Sequence, residues 1–155
     1  MKRLMTELTT LRSSLPEGIY LRYCSGHLGK MKAIIVGPSG TPYEGGLFEF
    51  DIDCPMSYPN TPPNFNFKTT GGGTVRFNPN LYPDGKVCLS LLGTWQGESW
   101  RPGESTLLQV LISLQSMVLC DEPWYNEPGR ERRKQSRESE SYNEQVWYWT
   151  TNHAM

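Results

Sequence analysis

Histidine is nearly absent from this chain: His27 and His153 are the only two in 155 residues. A histidine-rich metal site is thereby excluded. A cysteine protease is disfavoured as well, because neither histidine has the supporting Asn or Asp pattern that would orient it beside a thiol. Cysteine is sparse too. Cys24, Cys54, Cys88 and Cys120 lie far apart with no Cys-x-x-Cys pair, so zinc-ribbon and thioredoxin spacings are missing and there is no disulfide framework. No apolar run approaches the roughly 20 residues of a membrane span. The basic start, Met-Lys-Arg-Leu-Met-Thr-Glu-Leu, is not followed by the apolar stretch of a secretory signal. Charge of one sign is also lacking. Fifteen Lys plus Arg face 16 Asp plus Glu for a net charge of −1, which argues against a dedicated nucleic-acid binder. These absences lead us to expect a soluble protein of a reducing compartment, cytoplasmic or nuclear, with no membrane span.

What is present has a globular composition, 37% hydrophobic and 20% charged. We read residues 1–155 as one domain, because a chain of about 150 residues can bury about 70% of its unfolded surface without staples. Twelve prolines and 15 glycines exclude an all-helical bundle and call for long loops. Leu4, Leu8, Leu11 and Leu15 recur at helical spacing, and Pro16 and Gly18 end that helix. Ile19-Tyr-Leu-Arg-Tyr-Cys24 and Met31-Lys-Ala-Ile-Ile-Val36 read as strands joined through Ser25 to Gly29. Leu47 to Asp53 alternates cleanly, Phe48, Phe50 and Ile52 on one face and Glu49, Asp51 and Asp53 on the other. Asn64 to Lys68 is a shorter fourth strand.

Thr69 to Pro102 is irregular; segments that long within a compact domain are usually functional or disordered, and Val87, Leu89, Leu91 and Trp100, which read as buried, favour the functional option. Thr106-x-x-Gln109 then forms a capping box for an apolar helix from Leu107 to Cys120, ended by Pro123, which we expect at the centre of the core. Arg130 to Glu140 is a mixed-charge solvated helix or loop. Ser141-x-x-Glu144 opens a last helix on which Trp147 and Trp149 face different ways, one packed and one free for a partner. The expected class is α+β: an N-terminal helix, a four-stranded antiparallel meander, a functional loop, a core helix and a C-terminal helix.

Cys88 is the leading chemical candidate. It follows the turn-rich loop Asn78-Pro-Asn-Leu-Tyr-Pro-Asp-Gly85, and a thiolate on an ordered loop is an intrinsically good nucleophile toward a carbonyl. The competing reading is a small buried hydrophobe, which packing already explains for Cys54 and Cys120. Without a histidine partner, Cys88 would receive and pass on an acyl group activated elsewhere. Asn80 can donate its amide to a developing oxyanion, or cap its own backbone; the two roles can coexist.

Asn78-Pro79-Asn80 followed by Gly85-Lys-Val-Cys88 resembles the active-site signature of ubiquitin-conjugating enzymes. The likeness extends over nearly the whole chain. Lys2-Arg-Leu-x-x-Glu7-Leu is similar to that family's first helix, and Gly37-Pro38 to Phe48 to its Pro-Tyr-x-Gly-Gly-x-Phe segment. Tyr58-Pro59-x-x-Pro62-Pro63 and Trp100-x-Pro102 resemble its two conserved loops. Within the family, Asn78 to Tyr82, Leu91-Leu-Gly-Thr-Trp95-x-Gly97 and Asn126-Glu-Pro128 are most like the conjugating domains of very large hybrid enzymes that join conjugating and ligase activity.

This resemblance implies that Cys88 takes the C-terminal glycine of ubiquitin from an activating enzyme as a thioester, which a substrate lysine then attacks. It implies that Asn80 supports the oxyanion, and that Asp84 and Glu127 position or desolvate the lysine, although solvated loop acids are the other reading. No metal or small cofactor is implied, because ATP is used upstream by the activating enzyme. Lys2 and Arg3 are expected to meet an acidic patch on the activating enzyme, with ordinary helix solvation an equally good account. Pro62, Pro63 and Pro102 are expected to face a ligase. Asn78 stands where the family has a histidine of structural role, and Ser90 where an acid is common. The alternatives are a non-catalytic ubiquitin- or partner-binding module on the same fold, and a conjugating enzyme for a ubiquitin-like modifier.

Overall fold

A computed structural model describes residues 2–130 and 136–155. Helix α1 (Lys2–Ser14) leads into an antiparallel meander of β1 (Ile19–Cys24), β2 (His27–Val36), β3 (Leu47–Asp53) and β4 (Asn64–Phe67), in sheet order 1-2-3-4. After a long loop come α2 (Leu107–Ser113) and finally α3 (Arg137–His153). Among the described residues no helix is long and apolar enough to cross a membrane.

The period-2 pattern of β3 does what alternation dictates. Phe48, Phe50 and Ile52 are buried, while Glu49, Asp51 and Asp53 pair across the other face with Lys30, Lys32 and Lys68. Phe48, Phe50, Phe67, Phe77 and Tyr43 form one aromatic cluster, with Phe48 edge-on to Tyr43 at 5.5 Å and to Phe77 at 5.3 Å. Each such ring contributes about 1.5–3 kcal/mol on burial. β1 and β3 have the expected bounds. β2 starts four residues earlier than expected, at His27, because the hairpin turn is confined to Ser25 and Gly26 and pairing begins at Cys24–His27.

The core helix departs from its sequence reading in two ways. The Thr106–Gln109 capping box forms as expected, with Thr106 Oγ1 accepting from Gln109 N and Gln109 Oε1 accepting from Thr106 N. The helix does not run to Cys120, however. From Leu114 to Val118 it widens into a π turn, closed by Leu119 N donating to Leu114 O at 3.0 Å. The Ser116 hydroxyl donates back to Ile112 O there, a contact that bends helices. Nor is the helix apolar on all sides in its setting: Leu107, Val110, Leu111, Leu114 and Val118 are buried, but Ile112 and Met117 are exposed. α3 also differs. Its N-cap is Ser136, whose hydroxyl accepts from Ser139 N, so the Ser141–Glu144 pair lies inside the helix rather than opening it. Part of the mixed-charge segment, residues 131–135, lies outside the described residues. Trp149 packs on Phe77 at 6.4 Å and Trp147 is exposed, the division expected of residues two apart on a helix.

Glu7 was not singled out by the sequence, although the helical stripe buries it. It is 7% exposed, and its carboxylate gathers three elements. Oε1 accepts from the Tyr58 hydroxyl at 2.7 Å and from Arg3 Nε at 2.8 Å, while Oε2 accepts from Leu107 N at 2.9 Å, at the N-terminus of α2. Trp100 Nε1 donates to Pro59 O at 2.6 Å and so fastens the Tyr58–Pro63 loop to the segment preceding α2. We predict that Glu7→Ala destabilises the fold by about 3 kcal/mol, the cost of stranding buried donors. A urea midpoint within error of the parent would refute that role.

Candidate active site

The long loop is held by side chains in place of a ladder. Bridges link Asn66 to Lys86 and Leu81 to Val87, and Phe67 N donates to Gly85 O at 2.8 Å, which lays the loop along β4. Gly85 has φ +92°, and a Cβ there would stand 2.8–2.9 Å from the Asn66 side chain and Phe67 O; only glycine fits this approach.

Cys88 sits next along the chain, 2% exposed and apart from the hydrophobic cluster that takes in Val87 and Leu89 on either side. Four successive backbone groups around it are satisfied by two residues. Asn80 O accepts from Cys88 N at 2.8 Å, and Asn80 Nδ2 donates to Cys88 O at 2.6 Å. The Thr94 hydroxyl donates to Val87 O at 2.7 Å and accepts from Leu89 N at 3.0 Å. Asn80 is therefore engaged on the peptide of the cysteine itself. One of its two amide hydrogens is committed to positioning, whatever the other does.

Asn78, fully buried, ties this arrangement to the core. Its Nδ2 donates to Val118 O at 2.7 Å and to the Tyr43 hydroxyl at 2.8 Å, and its Oδ1 accepts from Asn80 N at 2.8 Å. The π turn leaves Val118 O without its helical partner, and Asn78 supplies one. Tyr43 in turn donates to Phe77 O at 2.9 Å, and burial holds its hydroxyl firmly protonated.

Around the thiol stand groups of both signs. Desolvation pushes the Cys88 thiol above its ordinary range; Lys86 and Arg76 pull it down, Asp84 pushes it up, and the Tyr82 hydroxyl favours the thiolate most weakly. Asp84 is exposed, with Oδ1 accepting from Lys86 N at 2.9 Å, an Asx turn that shapes the loop. Glu127 comes from beyond α2 and reaches the site through Arg76, 3.6 Å away. The Arg76 guanidinium also stacks over Tyr82 at 4.2 Å and donates to Pro79 O at 2.9 Å, and its Nε is buried without a partner. Arg76, Tyr82 and Thr94 were missed by sequence reasoning; the signal available for Thr94 was its place in the Leu91-to-Gly97 motif.

Of the candidate partner residues, Arg3 alone contacts Glu7. Lys2 is exposed. Arg3 is held by Glu7 and by Ser105 O, at 3.4 Å, so it is less free for an acidic partner than its helix position suggested. Pro102 is exposed and Pro62 half-buried. Pro63 is buried, which corrects its expected place on a ligase-facing surface: it leads into β4, where Phe65 and Phe67 point to the core. His27 and His153 are surface residues, and among the described residues no three His, Cys, Asp or Glu side chains gather to hold a metal.

Residues 3–150 match the family model described as ubiquitin-conjugating enzyme. The chain belongs to the ubiquitin-conjugating enzyme family. It is 51% identical over 140 residues to the human dual E2 ubiquitin-conjugating enzyme/E3 ubiquitin-protein ligase BIRC6, a match covering 86% of this chain and 3% of that protein. It is 46% identical over 165 residues to the probable ubiquitin-conjugating enzyme protein 17 of Caenorhabditis elegans, 99% of this chain and 22% of that protein. It is 50% identical over 131 residues to the putative ubiquitin-conjugating enzyme E2 38 of Arabidopsis thaliana, 83% of this chain and 39% of that protein. The chain thus spans a small part of these relatives' length. In this conjugating-enzyme chain the likeness to hybrid enzymes, read from the loop motifs, has a named counterpart.

Because the loop rests on Asn78, Asn78→Ala should cost about 2 kcal/mol and speed iodoacetamide labelling of Cys88, followed site by site by peptide mass mapping. Asn80→Ala should speed labelling with a smaller loss of stability. Labelling of parental Cys88 should keep rising with pH beyond the point where free N-acetylcysteine levels off, the direction desolvation sets. Arg76→Gln should move that profile further up. Unchanged labelling in Asn78→Ala would remove the positioning role.

Proposed function

We propose that the chain is a conjugating transferase domain that carries ubiquitin as a thioester on Cys88 and delivers it to a lysine amine. The observation that carries this reading is the clamp on Cys88: Asn80 and Thr94 satisfy the peptide groups on both sides of the residue, so a nucleophile outside any helix or strand still has a fixed position.

In the first step the Cys88 thiolate attacks the carbonyl of a thioester on the activating enzyme. The tetrahedral adduct collapses by expelling that enzyme's thiolate, and ubiquitin's C-terminal carbonyl is then bound to Cys88 Sγ. Arg76 and Lys86 favour the anion against the desolvation that opposes it. In the second step a neutral lysine amine attacks the Cys88 thioester, loses a proton, and the C–S bond breaks as the isopeptide bond forms. Glu127, oriented by Arg76, and Asp84 supply the acidic surroundings that hold the incoming ammonium and take its proton. The second N–H of Asn80 is the donor available to the oxyanion. ATP is spent upstream by the activating enzyme, and no resident cofactor is required. The partners of this reading are ubiquitin, its activating enzyme, a protein substrate and a ligase docking near Pro62 and Pro102.

The test is a charging reaction with ubiquitin, activating enzyme and ATP, resolved on a non-reducing gel. A thiol-sensitive adduct is expected, absent in Cys88→Ala and thiol-resistant in Cys88→Ser. An adduct formed only with a ubiquitin-like modifier, or none at all, would overturn the assignment to ubiquitin. Once charged, Glu127→Gln should discharge to free lysine on the order of tenfold more slowly while charging at the parental rate. Parental discharge would strip Glu127 of its role.

A further inference from the structure

Along α3, Glu140, Asn143, Glu144, Trp147 and Tyr148 fall at i, i+3, i+4, i+7 and i+8 and so share one face. With Gly40 and Pro42 of the neighbouring loop, the last four line a groove of about 520 Å³. Its walls are fastened together: the Thr150 hydroxyl donates to Pro42 O at 3.1 Å, and Leu47 N donates to Ala154 O at 2.7 Å. Trp147 and Tyr148 are more than half exposed, an unusual position for two adjacent large aromatics.

Two further observations bear on what fits there. Asn143 Nδ2 donates to Asp121 O at 2.8 Å, which fixes the orientation of the amide; its Oδ1 is then buried with no hydrogen-bond partner. Asn143 lines the groove, but an acceptor sealed from solvent meets a ligand's donor only if the amide turns outward, so it is not a preformed contact. Second, three partly exposed rings of this chain are met by its own arginines, Arg130 over Trp124 at 3.4 Å, Arg76 over Tyr82 at 4.2 Å and Arg12 over Tyr23 at 5.9 Å, whereas the more exposed Tyr20, Trp147 and Tyr148 are not. Among the described residues no cation covers Trp147 or Tyr148, and Glu140 and Glu144 have no ion-pair partner.

The geometry points to a docking site for an arginine side chain presented by a segment of a partner protein, in the groove between α3 and the Gly40–Pro42 loop. A guanidinium matches the aromatic and acidic features. It stacks on Trp147 or Tyr148 and keeps planar donors at its edge for the Glu144 carboxylate, where a lysine offers a single compact charge. Glu140, one turn earlier, extends the acidic stripe toward a further basic residue of the same segment. None of these residues belongs to the Cys88 site, so the inference is independent of the transferase reading.

The experiment is an NMR titration of the full ¹⁵N-labelled chain with a capped pentapeptide carrying a central arginine, beside its lysine and citrulline counterparts. The Trp147 indole and the α3 amides should shift with the arginine peptide, less with lysine, and not with citrulline. Trp147→Ala and Glu144→Gln should each weaken binding about fivefold, the scale of an exposed cation–π or ion-pair contact. Each variant's own spectrum reports whether it is folded. Shifts of equal size with citrulline, shifts centred off α3, or shifts that depend on protein concentration without peptide, as for a second copy of the chain, would each overturn the proposal. So would an unmoved spectrum at millimolar peptide.

Discussion

The hydrogen bond from Asn78 to Val118 O joins the two irregular features of this fold, the long loop that carries Cys88 and the π turn that ends the core helix. Each alone is a liability. A π turn exposes carbonyls that its own helix no longer pairs, and a loop lying against the core carries peptide groups with no ladder to accept them. Asn78 cancels both costs with one amide, and by taking Asn80 N on its Oδ1 it passes the constraint one residue further, to the side chain that grips Cys88. The position of the thiol is therefore inherited from the core through two asparagines as well as set locally by Thr94. A histidine at position 78, as in the wider family, could supply a donor and an acceptor on opposite edges of a ring; an amide offers two donors and an acceptor in a smaller volume.

The electrostatics of Cys88 follow from the same burial. A thiol at 2% exposure resists ionisation, and the nearby cations Lys86 and Arg76 offset that only in part. A hydrolytic enzyme would be poorly served by such a balance, because it must activate its nucleophile against an unreactive amide. Exchange with an existing thioester asks less. The leaving group is itself a thiolate, so the step needs no histidine to protonate it, and low ionisation at rest limits side reactions of a thiol held above its ordinary range. On the proposed transferase reading, this is how a chain with two surface histidines would carry out acyl transfer.

Much of this was legible in the sequence where the information is local. The alternation of Leu47 to Asp53 gave the strand and both its faces, the Thr106–Gln109 box gave the start of α2, and Asn78-Pro-Asn with Gly85 to Cys88 pointed to the site. What escaped depends on contacts that no periodic pattern announces, several of them distant in the chain. Glu7 reads as a helix surface acid until Tyr58 and Leu107, 51 and 100 residues away, arrive to share it. Arg76 lies in a stretch without periodicity, and only folding brings Tyr82, Pro79 and Glu127 around its guanidinium. The end of α2 was misjudged because apolar residues continue to Cys120, whereas the backbone obeys Ser116 and Asn78 instead. Ser141 and Glu144 have capping spacing, but Ser136, five residues earlier, offers its own hydroxyl to Ser139 N and takes the cap.

The placement of Glu127, the acid of the proposed second step, shows how far the core reaches toward the Cys88 loop. Its neighbour Asn126 donates to Met117 O at 3.1 Å, the carbonyl just before the one that Asn78 holds, and approaches Asn78 Oδ1 at 3.5 Å. The end of the core helix thus fixes the backbone on one side of the acid, and Arg76 fixes its carboxylate on the other. Arg76 is itself braced against Pro79 O and the ring of Tyr82, both in the loop that leads to Cys88. Acid and thiol, 39 positions apart in sequence, are therefore referred to the same few carbonyls. Rigidity of that kind would suit the two steps proposed above, which bring different partners to one sulfur atom.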